Sequence, residues 1–145
     1  MNLYKILGAL ILALSFVFTS CDWVDNEPII EGGRYKTFDS SAQRKSFRVV
    51  NASGKRYNHK VDWHIIGITQ LDSKTYFTKK VDTLPNGDLK ISYDWVSFTV
   101  KERKSVIEVE VQKNETGQAR SVFFATSNSR YQAHLPDIIV VQRAK

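Results

Sequence analysis

Along the second half of this chain, apolar and polar positions alternate with the period of β-strands. Ile107, Val109 and Val111 take one parity and Glu108, Glu110 and Gln112 the other, as in a half-buried antiparallel strand with one face on a core and one in water. Upstream, Leu89, Ile91 and Tyr93 continue one parity into Trp95, whereas Val96, Phe98 and Val100 occupy the opposite one. The switch between Trp95 and Val96 predicts a kink or a crossing between sheets. Residues 44–50, 60–69, 75–84 and 120–126 give further strand-like runs, and 137–142, apolar on both parities, predicts a central strand. Within 60–69, Val61, Trp63 and Ile65 share a parity while Ile66 and Ile68 take the other, which predicts a bulge after Ile65 or burial of both faces, with Trp63 in the core.

Turn chemistry separates these runs. Asn51-Ala52-Ser53-Gly54 closes the first, and Pro85-Asn86-Gly87-Asp88 is the strongest hairpin signal in the chain, because Asn-Gly readily adopts the positive φ that tight β-turns need. Residues 101–104 read as a charged turn and 114–118 as a loop. No segment after the first twenty residues keeps a helical period. About eight short strands at spacings of roughly 8–15 residues point to an all-β sandwich.

The N-terminus follows a different pattern. Met1 to Lys5 is a short basic stretch, Ile6 to Phe18 an apolar run too short to span a bilayer comfortably, and Thr19-Ser20 precedes Cys21, the one cysteine in the chain. This resembles a bacterial lipoprotein signal, with Phe18 where such signals usually carry Leu. The resemblance implies a signal peptide over 1–20, lipidation of Cys21, and a protein anchored to the outer membrane, on the cell surface or its periplasmic side. Each buried acyl methylene stabilises such an anchor by about 0.8 kcal/mol, so several chains hold it almost irreversibly. With its single cysteine lipidated, the fold would have no internal disulfide and would rest on its core.

Residues 21–41 are rich in Asp, Asn, Glu, Pro and Gly, with Gly32-Gly33 breaking regular structure, and read as a lipidated flexible tether leading to a domain over 42–145. Asp22, Asp25 and Glu27 resemble the acidic surface-export signals of Bacteroidetes-type lipoproteins, and Trp23 suits a headgroup layer. The whole chain has 145 residues, 42% apolar, 12% aromatic and 25% charged, which suits one globular domain. Its formal charge of +6 is spread without a long basic block, so it reads as a solvated surface, and no nucleic-acid partner is expected.

The order Asp94-Trp95-Val96-Ser97-Phe98, then 107–111, then Asn114-Glu115-Thr116-Gly117-Gln118-Ala119-Arg120, ending in Ile139-Val140-Val141-Gln142, resembles the BACON domain. That family is a Bacteroidetes-associated, carbohydrate-binding, often N-terminal module. The resemblance implies an immunoglobulin-like antiparallel β-sandwich of 7–8 strands and a non-catalytic role in binding or presenting glycans. It covers the last fifty residues or so. The chain departs from the family in the extra hairpin that separates Trp63 from Trp95; the family's modules commonly precede a glycan-degrading enzyme, whereas the expected sandwich runs to about the last of these 145 residues.

Catalytic motifs are missing. His59 and His64 lie five positions apart and so face opposite ways on a strand, His134 is distant, and there is no Gly-x-Ser-x-Gly or His-Glu-x-x-His, so neither catalytic residues, a metal site nor a cofactor is expected. Glu108 and Glu110 read as a solvated face carrying cross-strand ion pairs. The candidate ligand-binding residues are Arg130, Tyr131 and His134 in the long connection 127–136, where a ring lies beside hydrogen-bond donors as a sugar face and its hydroxyl edge require. The inserted hairpin, with Tyr76, Lys79 and Lys80, is the second candidate. Asp82-Thr83-Leu84 also matches the short O-glycosylation motif of Bacteroidetes-type exported proteins. The alternative to a glycan module is an interaction lipoprotein that docks another envelope protein through a sheet edge or the long loop.

Overall fold

Eleven strands form over the described residues of this computed structural model, which are 26–71, 73–128 and 136–145. They are β1 (Pro28–Ile30), β2 (Tyr35–Phe38), β3 (Gln43–Asn51), β4 (His64–Thr69), β5 (Tyr76–Thr78), β6 (Asp82–Thr83), β7 (Leu89–Tyr93), β8 (Val96–Lys101), β9 (Val106–Val111), β10 (Arg120–Ser127) and β11 (Ile138–Gln142). One sheet has the order β1-β3-β9-β8-β7-β6 and the other β2-β11-β10-β4-β5. All neighbours are antiparallel except β2, which runs parallel to β11. The protein is an all-β, immunoglobulin-like sandwich.

Alternation decides which side chains meet between the sheets. Ile107, Val109 and Val111 of β9 are buried beside Val96, Phe98 and Val100 of β8, and Val122, Phe124, Ile138 and Val140 face them from the other sheet. Phe98 and Phe124 stack across the gap with centroids 4.6 Å apart, a contact worth about 1 kcal/mol beyond the area it buries. Trp63 is in the core, as expected. On the outer face Arg44 pairs with Glu110 at 3.0 Å and Lys101 with Glu108 at 2.9 Å, the expected cross-strand ion pairs. The final strand is internal, flanked by β2 and β10.

Several boundaries differ from the sequence expectation. The stretch read as tether contains β1 and β2, one in each sheet, so ordered structure begins well before residue 42. Gly32 and Gly33, with φ of 72° and 81°, form the turn between them instead of a breaker in a loose chain. β2 is held to β3 by reciprocal contacts: the Lys36 ammonium lies 4.6 Å from the Phe47 ring centroid, and that of Lys45 lies 4.6 Å from Phe38. The run 75–84 is two strands, β5 in one sheet and β6 in the other, so the chain changes sheets at Lys79-Lys80-Val81. At Trp95 and Val96 there is no sheet crossing. Asp94 and Trp95 are the two turn residues of the β7–β8 hairpin, with Tyr93 paired to Val96 and Asp94 at φ 44°, a conformation Asp tolerates.

The expected bulge is present. Ala125 of β10 faces Gly67 but Thr126 faces Ile65, so Ile66 is the extra residue. The Pro85–Asp88 turn also forms as expected, with Leu84 and Asp88 closing it and Gly87 at φ 86°.

Candidate functional site

Three connections converge at one end of the sandwich. β4 ends at Thr69, whose hydroxyl donates to the Thr75 carbonyl at 2.6 Å and folds the 70–75 connection back on itself. β5 then carries Tyr76 and Phe77, with Phe77 the extra residue where Ile68 pairs with Thr78 and Thr69 with Tyr76. Tyr76 packs over Gly67, with the Lys79 ammonium 5.1 Å from its ring centroid. Phe77 faces Tyr93 at the end of β7, the two rings stacked 4.5 Å apart and 16° from parallel.

These rings border an open cleft of about 770 Å³. Leu71 and Phe77 remain 44% and 37% exposed, and Gln70, Ser73, Asp94 and Ser121 supply polar groups to the lining. Such an arrangement offers an apolar ring surface beside hydrogen-bond donors and acceptors. It matches the two-sided chemistry of a saccharide, whose C–H face is apolar and whose edge carries hydroxyls.

Beneath the cleft the polar residues of the C-terminal sequence pattern form a brace. The Arg120 guanidinium lies 4.3 Å from the Trp95 ring centroid and donates to the Gln142 side-chain oxygen at 2.9 Å and to the Gln112 and Lys113 carbonyls at 2.9 and 3.2 Å. Gln142, fully buried, donates in turn to the carbonyls of Gln112 and Ser41. Asn114 is also fully buried: its amide nitrogen donates to the carbonyls of Gln118 and Arg143, and its side-chain oxygen accepts from the amide and hydroxyl of Thr116. Burial pushes the Arg120 guanidinium below its ordinary value while nearby Asp94 opposes that shift. These residues hold chain segments together, and Arg120 and Trp95 also line the cleft beside the Phe77 and Tyr93 rings.

Arg130, Tyr131, His134 and Cys21 lie outside the described residues. The base of the connection carrying the first three is fastened, since Thr126 donates from both its amide and hydroxyl to Asp137 at 2.8 and 3.1 Å. Of the second candidate group, Lys80 pairs with Asp82 at 3.2 Å and Tyr76 is occupied as described, so the ring presented to the cleft is Phe77. The sequence signal for it is only the pair of adjacent aromatics, Tyr76 and Phe77, in a short strand-like run. His59 and His64 are not part of this end, and among the described residues no group of three His, Cys, Asp or Glu side chains is placed to hold a metal ion.

No protein-family model matches the chain, and no curated protein matches it. A solved structure described as an NMR structure of a protein from Bacteroides thetaiotaomicron superposes with a TM-score of 0.52, covering 81% of this chain and 84% of that one at 13% identity. At that identity the likeness concerns the fold alone.

Proposed function

We propose that the protein is a lipid-anchored, non-catalytic module of the bacterial envelope that binds glycans through the aromatic end of its sandwich. The observation that carries this reading is the exposed Phe77 rim stacked on Tyr93, set beside Gln70, Ser73 and Asp94 in an open cleft. The resemblance of the C-terminal half to BACON domains supports the same ligand class.

An open, shallow site implies weak binding, near millimolar or about 4 kcal/mol, the range in which avidity on a crowded surface matters. A glycan-array screen tests it, repeated with Phe77→Ala. Binding that drops by about tenfold or more in the variant, with the fold intact by far-UV circular dichroism, is the expected result. Unchanged binding would remove the cleft from the account. The anchor is tested separately: Cys21→Ser should move the protein from the membrane fraction to the soluble fraction, and continued membrane retention would contradict it.

A further inference from the structure

The opposite end of the sandwich carries a groove with different chemistry. It lies between the 51–63 connection and the β8–β9 turn and measures about 900 Å³. Three arginines, Arg48, Arg56 and Arg103, line it together with His59, and Glu102 is the carboxylate in the lining. Arg48 has a loose tie to Glu31 at 3.2 Å, with both side chains largely in solvent. The side chains of Arg56 and Arg103 make no ion pair or hydrogen bond among the described residues, although the Arg56 backbone bridges to Val50.

The backbone here holds its side chains at a conformational cost. Glu102, Arg103 and Lys104 are consecutive left-handed residues at φ 51°, 52° and 69°, and His59 across the groove has φ 59°. Non-glycine residues take this conformation only where their surroundings enforce it. The enforcement is visible: the Lys104 ammonium donates to the Asp62 carboxylate at 2.7 Å and to the Trp63 carbonyl, fastening the turn to the facing connection. On that connection, the Asn51 side chain accepts from the Lys55 amide at 2.7 Å and so sets the approach to Arg56. Tyr57 is buried and donates to the Val61 carbonyl at 2.6 Å, while its ring contacts His59 at 4.4 Å.

We infer that this groove is an oxyanion site that takes a phosphate or sulfate monoester. The planar guanidinium fork matches two oxygens of such a group at once, which a lysine ammonium cannot do, and all three long cations lining the groove are arginines. Two of them are ion-paired to no carboxylate, Glu102 included, and the turn that carries Arg103 is tied to the facing connection through Lys104. Six residues of β8 separate the groove from the aromatic cleft by roughly 20 Å, so the two sites are independent.

The test is an amide-shift titration of the full chain with glucose 6-sulfate, glycerol 3-phosphate and the neutral parents glucose and glycerol. Saturable shifts at 56–59 and 102–106 with an ester, absent with its parent and weakened about tenfold in Arg56→Gln/Arg103→Gln, are expected. Preference for the sulfated sugar would make the ligand an acidic saccharide; preference for glycerol 3-phosphate would make it a lipid headgroup. Both outcomes support the site. Shifts that sodium chloride reproduces at equal ionic strength, or that persist unchanged in the double variant, would overturn it. Either variant residue is exposed and distant from Phe77, so glycan binding at the aromatic end should be unaffected.

Discussion

Asn114 shows how a single side chain can close one end of the sandwich. Three of its four side-chain hydrogen bonds hold the 114–118 loop and the fourth ties it to Arg143, just past β11, while its backbone amide donates to the Ser40 carbonyl at 2.8 Å. Replacing it with Ala would remove the donor to the Gln118 and Arg143 carbonyls and the acceptor of the Thr116 amide and hydroxyl, so Asn114→Ala is expected to destabilise the fold by roughly 1–3 kcal/mol in urea unfolding. A loss below about 0.5 kcal/mol would mean that water substitutes for the side chain. Gln142 stands out in the sequence as a polar residue after an apolar run, and Asn114 and Arg120 bound a polar loop, but their shared network was not legible there. Its partners are far apart in the chain: Gln142 reaches the Ser41 carbonyl across 101 positions. Local pattern carries no record of such a contact.

The β4–β5 hairpin determines whether Phe77 reaches the cleft. At Gly67 an added Cβ would meet the Thr78 carbonyl and lie 2.9 Å from the Tyr76 ring, both on the neighbouring strand β5. Gly67→Ala should therefore cost about 1–3 kcal/mol and shift the amides of 76–78, weakening glycan binding without touching the cleft itself. A variant with wild-type stability and unmoved β5 amides would show that the hairpin yields easily. The bulge at Ile66 was legible because the parity of apolar residues breaks after Ile65. The split of 75–84 into β5 and β6 was not, since Lys79-Lys80-Val81 contains neither Gly nor Pro to mark a change of sheet. Likewise β1 and β2 are too short for alternation to register, and their Gly-Gly turn has the composition of a linker.

On the scale of the whole molecule, the sandwich keeps its two ends chemically distinct. One end offers Phe77, Tyr93 and neutral polar groups with one carboxylate, Asp94, and one guanidinium, Arg120, that is already bonded to Gln142 and to backbone carbonyls, and the other gathers Arg48, Arg56 and Arg103. The +6 formal charge is thus less evenly used than its spread along the sequence implies, because the 51–63 connection and the β8–β9 turn meet only after folding. Alternation was enough to predict two packed sheets, but which loops share an end depends on strand order, and strand order is set by long-range pairing. The most direct measurement is an amide chemical-shift map of the full chain with a neutral oligosaccharide taken from the glycan screen. Shifts clustered at 70–77, 93–95 and 119–122, abolished by Phe77→Ala, are the expected result. Shifts confined to 129–135 or to the arginine groove, or none with any glycan tested, would contradict glycan binding at the aromatic end.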